Sequence, residues 1–313
     1  MEENFICLDI GGTLIKYALA ADGRLRERGS VPTEGRTAGA QGVAEKVLAI
    51  VDAFRGRGAA GVAISTLGIV DPVAGKIVYA GPSIKDYTGM NLKALVEDAT
   101  GLLCTVENDV NCAGLGEYWL GAGRGSRSLV CLTVGTDVGG CILFNGRLWS
   151  GANYSAGEVG SMGLTEGRFG DLASVRRMVQ RAAKAHGLSA QGIDGETVFA
   201  WARAGDADAV NAIAGLIAPL VEGISNICYM LNPECIVLGG AVMDERQYLA
   251  PRLLADLEEA VPRAFRSATR LTFAELGNDA GLIGALYHFL QRRRDAEAKA
   301  RNAGLTGEAG KVR

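Results

Sequence analysis

The chain has 313 residues, 48% of them hydrophobic and 21% charged, which excludes disorder as the dominant state and suits about two globular domains. Lys and Arg number 32 against 35 Asp and Glu, a net charge of −3, so no general attraction to nucleic acid or an anionic membrane is expected. Met1-Glu2-Glu3-Asn4 lacks the pattern of an export signal, and the 7 cysteines form no Cys-x-x-Cys pair, so free buried thiols in a reducing cytoplasm are expected.

The first element is a strand, Phe5 to Ile10, running into a tight turn at Gly11-Gly12-Thr13. Leu14 to Ala20 reads as a second strand, and Asp22-Gly23 as a hairpin turn into a third. Val43, Val47, Leu48, Ile50 and Val51 recur at helical spacing and predict a helix over Ala40 to Phe54. A short strand at Val62 to Ile64, a helix at Leu92 to Ala99 and a strand at Leu102 to Val106 follow. A polar cluster, Glu107-Asn108-Asp109-Val110-Asn111, then precedes a helix over Cys112 to Leu120. Strands alternating with helices predict an α/β architecture.

The pattern restarts at Leu129 to Val134, again followed by a glycine turn, Gly135-Thr136, a strand at Cys141 to Phe144 and a hairpin at Asn145-Gly146. The two copies are offset by about 124 residues at the strand and 123 at the turn, which suggests an internal duplication. Helices are expected at Asp171 to His186 and Asp206 to Leu231; the apolar stretch Ala209 to Leu231 is interrupted by Asn211, Pro219, Glu222, Ser225 and Asn226 and reads as a buried helix, not a membrane span. Cys235 to Leu238 is a strand entering Gly239-Gly240, Tyr248 to Val261 a helix, Arg270 to Glu275 the last strand and Ala280 to about Arg294 the last helix. From residue 302 to 313 a loose polar tail is expected.

Three glycine turns following three strands can bring backbone N–H groups close to one anion, and the Thr13 and Thr136 hydroxyls add donors, so a phosphate site is expected there. Asp9, at the end of its strand, would need a cation to sit beside phosphate, which implies Mg²⁺; an Asx-turn cap is the alternative. Two asparagines and two carboxylates in residues 107–111 exceed what a helix cap requires, and a carboxylate at a strand end can accept a proton from a hydroxyl nucleophile.

The motifs Asp9-Ile10-Gly11-Gly12-Thr13, Glu107-Asn108-Asp109-Val110-Asn111, Gly135-Thr136-Asp137-Val138-Gly139-Gly140, Ala156-Gly157-Glu158-Val159-Gly160, Ile236-Val237-Leu238-Gly239-Gly240 and Asn278-Asp279-Ala280-Gly281-Leu282-Ile283-Gly284-Ala285 resemble, in this order, those of the repressor–kinase (ROK) family of sugar kinases, part of the actin-like ATPase superfamily. The resemblance covers about residues 5 to 290. It implies two actin-like, ribonuclease H-like domains with a cleft between them: residues 1–118, joined by a C-terminal helix at 281–298, and residues 119–280. It further implies ATP as cosubstrate and a hexose or β-glucoside phosphorylated at its 6-hydroxyl; N-acetylmannosamine, allose and fructose are alternative acceptors. By that likeness Asp109 is the general base, and Asn108, Glu158, Gly68 and Asn91 hold the sugar. Gly11, Gly12, Thr13, Lys16, Gly135 and Thr136 hold the phosphates, Asp9 acts through Mg²⁺, and Gly239 and Gly240 lie against the nucleoside. A homodimer is implied as well.

Two departures stand out. Ser161 occupies a position where the family commonly has histidine, and Ser161 to Met178 contains no Cys or His, so no zinc is expected; both features resemble the β-glucoside kinase branch. Asp137 stands where the family usually has glycine, and a carboxylate in a phosphate turn weakens anion binding unless it points away or binds a cation, which leaves open a catalytically weak sugar or nucleotide sensor. A transcription repressor of the same family needs an added DNA-binding domain, for which the eight residues before Asp9 are too few.

Overall fold

A computed structural model describes residues 3–309. The chain divides into two compact units, residues 1–116 with 279–313, and residues 117–278.

Unit 1 begins with β1 (Asn4–Ile10), β2 (Leu14–Ala21), β3 (Arg24–Pro32), α1 (Gly39–Arg55) and β4 (Ala59–Thr66). A small hairpin of β5 (Ile69–Asp71) and β6 (Lys76–Tyr79) follows, then α2 (Leu92–Thr100), β7 (Cys104–Asn108) and α3 (Asp109–Trp119). The sheet order is β3-β2-β1-β4-β7, with antiparallel pairing among the first three strands and parallel pairing from β1 to β7. Ile6, Leu8, Ile10, Val43, Val47, Val62, Ile64 and Val106 form its core. Full burial of such a side chain is worth about 1.5–3 kcal/mol.

Unit 2 contains β8 (Ser128–Val134), β9 (Val138–Phe144), β10 (Arg147–Leu148), β11 (Gly163–Leu164), β12 (Gly167–Arg168), α4 (Phe169–Leu172) and α5 (Val175–Ala185). It continues with α6 (Gly195–Arg203), α7 (Ala207–Leu231), β13 (Cys235–Gly239), α8 (Arg246–Ala260), α9 (Arg263–Arg266) and β14 (Arg270–Phe273). Its main sheet runs β10-β9-β8-β13-β14. The strand order of the first sheet is thus repeated, as a duplication requires. Both hairpins turn on residues with positive φ, Asp22 (48°) with Gly23 (75°) and Asn145 (50°) with Gly146 (74°), the geometry that matches strand twist. Helix α7 is long and apolar enough to cross a membrane by composition, but Ile213, Leu216, Leu220, Ile224 and Ile227 are buried in the core of unit 2. The chain returns to unit 1 with α10 (Ala280–Ala309).

Several boundaries differ from the sequence reading. The helix expected over Asp171 to His186 is broken into α4 and α5, because the Ser174 hydroxyl accepts the Arg177 N–H (3.2 Å) and starts a new helix. Helix α3 starts at Asp109, three residues early, because the Asn108 side chain already caps it by accepting the Asn111 N–H (3.0 Å). Helix α10 continues through residues 302–309, where a loose tail was expected. Residues 296–301, Ala-Glu-Ala-Lys-Ala-Arg, are strong helix formers that carry the helix up to this segment, and Arg293 and Arg301 each lie one turn from Glu297. Residues 310–313 of that tail lie outside the described residues.

Candidate active site

The parallel strands of unit 1 end in polar residues that stand in register. Lys16, Asp9, Ser65 and Glu107 pair in sequence across β2, β1, β4 and β7, so their side chains share one face of the sheet. Ser65 Oγ donates to Asp9 Oδ1 (2.6 Å), and Lys16 Nζ lies 3.9 Å from Asp9 Oδ2. Burial pushes the Asp9 carboxyl above its ordinary range, against the lowering effects of Ser65 and Lys16. On the same face, Gly281 of α10 lies so close to Asp9 that a Cβ there would fall 2.9 Å from the carboxylate. One buried carboxylate beside an exposed turn suits Mg²⁺, which typically takes one or two carboxylates and completes its shell with water and phosphate oxygens. That turn is Gly11-Gly12-Thr13. The Gly11 N–H is tied to Leu14 O (3.0 Å) and the Gly11 carbonyl accepts from Thr33 Oγ1 (2.7 Å), leaving Gly12 and Thr13 exposed at the tip.

The end of β7 builds the second part. Asn108 Nδ2 donates to Asp109 Oδ1 (3.0 Å) and to Gly68 O (2.9 Å), while its Oδ1 caps α3. Both amide hydrogens of Asn108 are therefore committed within the protein, and the residue holds the Asp109 carboxylate in place. Asp109 Oδ1 also accepts the Val110 N–H (3.0 Å). Gly68 has φ of 98°, and a Cβ there would lie 2.7 Å from Tyr79 O, so only glycine fits. Asn91 caps α2, its Oδ1 accepting the Ala94 N–H (2.9 Å). The neighbouring Thr66 hydroxyl shares a hydrogen bond (2.7 Å) with the buried Tyr87 hydroxyl; burial raises the Tyr87 pKa, and the charge on Asp109 adds to that rise.

Glu107 is fully buried and accepts from Asn111 Nδ2 (2.9 Å) and the Asn108 N–H (2.8 Å). Burial outweighs these bonds and pushes its carboxyl from the usual 4.5 up to about 7. A raised folded-state pKa favours the fold most below the unfolded value, and that stability is lost as pH rises from about 4.5 to about 7, at most about 3 kcal/mol. Glu107→Gln is expected to remove this decline. Denaturant unfolding of both proteins between pH 5 and 8 checks it; parallel stability profiles would contradict the assignment.

Unit 2 carries its own glycine turn between β8 and β9. The Gly135 N–H bonds to Asp137 O (3.0 Å), and the Gly135 carbonyl accepts the N–H of Val175, the first residue of α5 (2.9 Å). Thr136 is exposed at the tip. Segment 156–160 packs directly onto β9: a Cβ on Gly157 (φ 95°) would lie 2.6 Å from Gly140 O, and one on Gly160 would lie 2.1 Å from Val138 O. Glu158 is thereby held at the surface near that turn, its pKa raised first by desolvation and then by Asp137. At the end of β13, Gly240 (φ 94°) packs against the backbone of Val134, where a Cβ would fall 2.2 Å from its carbonyl oxygen, while Gly239 faces the Ala274 methyl.

Ser65 and Tyr87, which the structure places beside Asp9 and Thr66, were not singled out by the sequence, and Gly281 appeared there only as part of a motif, without its approach to Asp9. A usable signal for Ser65 was present: Ser65-Thr66 closes an otherwise apolar strand, at the end where α/β sheets bind ligands.

The ROK family model matches residues 5–292. The chain is 34% identical to a beta-glucoside kinase of Listeria monocytogenes over 70% of this chain and 76% of that protein. It is 33% identical to a beta-glucoside kinase of Klebsiella pneumoniae over 92% of this chain and 97% of that one. Among solved structures, a ROK family glucokinase from Streptomyces griseus, in complex with glucose and AMPPNP, superposes with a TM-score of 0.76 at 30% identity, covering 90% of this chain and 97% of that one. The chain therefore belongs to the ROK family and is an ATP-dependent carbohydrate kinase.

Proposed function

We propose that the enzyme transfers the γ-phosphoryl group of ATP to the 6-hydroxyl of glucose or of a β-glucoside, with Asp109 as general base. The observation that carries this reading is the Asp109 carboxylate at the start of α3, oriented by Asn108 Nδ2 (3.0 Å) and the Val110 N–H (3.0 Å). Phosphoryl transfer requires positioning, charge neutralisation and a proton acceptor. In this reading Asp109 takes the hydroxyl proton as the sugar oxygen attacks phosphorus, and ADP departs. Asn108, itself held by the Gly68 carbonyl, fixes the base, a role that differs from the sugar contacts the family resemblance implies for Asn108 and Gly68. Glu158 and Asn91 are proposed to hydrogen-bond the sugar.

The exposed tips Gly11-Gly12-Thr13 and Gly135-Thr136 are proposed to receive phosphate oxygens, with Lys16 nearby, and Gly239 and Gly240 to border the nucleoside. Asp9 would hold Mg²⁺, which when bound neutralises charge on the phosphates. The names of the Listeria and Klebsiella relatives support a β-glucoside acceptor, and the Streptomyces structure supports glucose. The same proposal takes the enzyme as a cytoplasmic homodimer without zinc; seven buried free cysteines suit a reducing compartment, and size-exclusion chromatography with light scattering checks the dimer.

A coupled assay of ADP release over glucose, cellobiose, gentiobiose, mannose, N-acetylmannosamine, allose and fructose tests the acceptor. The highest kcat/KM is expected for glucose or one of the two glucosides. Turnover confined to N-acetylmannosamine, allose or fructose, or none at all, would overturn the proposed substrate class.

A further inference from the structure

Asp137 places a negative charge in the turn that would receive phosphate, and the fold deals with it by turning the side chain aside. Its Oδ1 accepts the Val138 N–H (2.7 Å), and its Oδ2 pairs with Arg168 Nη2 (2.7 Å). The carboxylate occupies a slot bounded by two glycines: a Cβ on Gly170 would fall 1.5 Å from Asp137 Oδ1, and one on Gly160 2.9 Å from it. Arg168 is itself fixed from the other side, Nε donating to Asp171 Oδ2 (3.0 Å) and Nη2 to Asp171 Oδ1 (3.1 Å), while Arg176 Nη2 also reaches Asp171 (3.2 Å). One guanidinium thus bridges the turn to α4. This chain of ion pairs lies wholly within unit 2.

Measured against ordinary surface ion pairs, Arg168 and Asp137 should contribute little to stability, since their side chains are 39% and 50% exposed. Their value lies in electrostatics. A lone carboxylate within several ångströms of a polyphosphate repels it, and a paired one does so far less.

We propose that Arg168 is a positioning residue for the nucleotide: by pairing with Asp137 it neutralises that carboxylate and holds it out of the Gly135–Thr136 turn, leaving the turn able to accept phosphate. The proposal rests on the reading of that turn as a phosphate site.

The test is steady-state kinetics on four variants of the full-length enzyme, with ATP and sugar varied in turn. Arg168→Ala is expected to raise the KM for ATP about tenfold while kcat and the sugar KM stay within about twofold. Asp137→Ala alone should leave the KM for ATP at or below that of the parent. Combined with Arg168→Ala, it should bring KM back to within about threefold of the parent, a rescue that a merely structural role for Arg168 would not produce. Should Arg168→Ala fail to fold, Arg168→Lys replaces it; it keeps the charge without the two-sided bridge, is expected to raise KM less than tenfold, and must be rescued by the same Asp137→Ala change. An unchanged KM for ATP in the Arg168 variant, or a double variant as impaired as the single one, would overturn the proposal. Thr136→Glu, the fourth variant, separates the two levels: it should weaken ATP whatever Arg168 does. If it weakens ATP and Arg168→Ala does not, only the role of Arg168 falls; if it leaves ATP untouched, the phosphate reading and the proposal fall together.

Discussion

Asp109→Asn is expected to fold normally, to bind sugar within about threefold of the parent affinity, and to lose about 10²–10⁴ in kcat. The carboxamide is nearly isosteric and its oxygen can still accept the Val110 N–H, so the start of α3 is preserved. What disappears is the proton acceptor. Calorimetry with the sugar and a coupled assay of turnover separate the two effects. A variant with near-parental kcat would remove Asp109 from the chemistry, and one that no longer binds sugar would make it a ligand first.

Gly284→Ala is the second large effect. A Cβ at Gly284 would fall 1.6 Å from the carbonyl oxygen of Cys112, and one at Gly116 would fall 2.6 Å from that of Ala280. Helices α3 and α10 therefore meet backbone to backbone through glycines at both contacts, and neither neighbour is a side chain that could turn away. A single methyl must part the helices, at a cost of about 1–3 kcal/mol or more. Because α3 begins with Asp109, the displacement should lower kcat as well as stability. A Tm lowered by several degrees together with reduced kcat is the expected pair of results; an unchanged Tm would show that the helices can separate freely.

Much of the fold was readable because glycine and hairpin chemistry act locally. Asp22-Gly23 and Asn145-Gly146 announce their turns in the sequence, and their repetition suggests the internal duplication that the two matching strand orders fit. Asp9, Asn108 and Asp109 stand out in the sequence for a similar reason, since they lie at the ends of strands or at the start of a helix. What stayed hidden depends on register and helix crossing, which are long-range. Ser65 matters because β4 pairs with β1 at Asp9 and with β7 at Glu107. The sequence shows Gly281 and Gly284 only as motif residues and does not single out Gly116; why glycine stands there is visible only where α10 is laid against β1 and α3. The β5–β6 hairpin was missed because its strands are only three and four residues long. Asp137 looked like a defect in the phosphate turn, and only the position of Arg168, 31 residues later, shows how its charge is met.

A structure of the enzyme with glucose or cellobiose and a non-hydrolysable ATP analogue decides whether Asp109 is the base. The 6-hydroxyl is expected within hydrogen-bond distance, about 2.6–3.2 Å, of an Asp109 carboxylate oxygen. A sugar whose 6-hydroxyl points elsewhere, with Asp109 bonded only to Asn108 and the backbone, would contradict it.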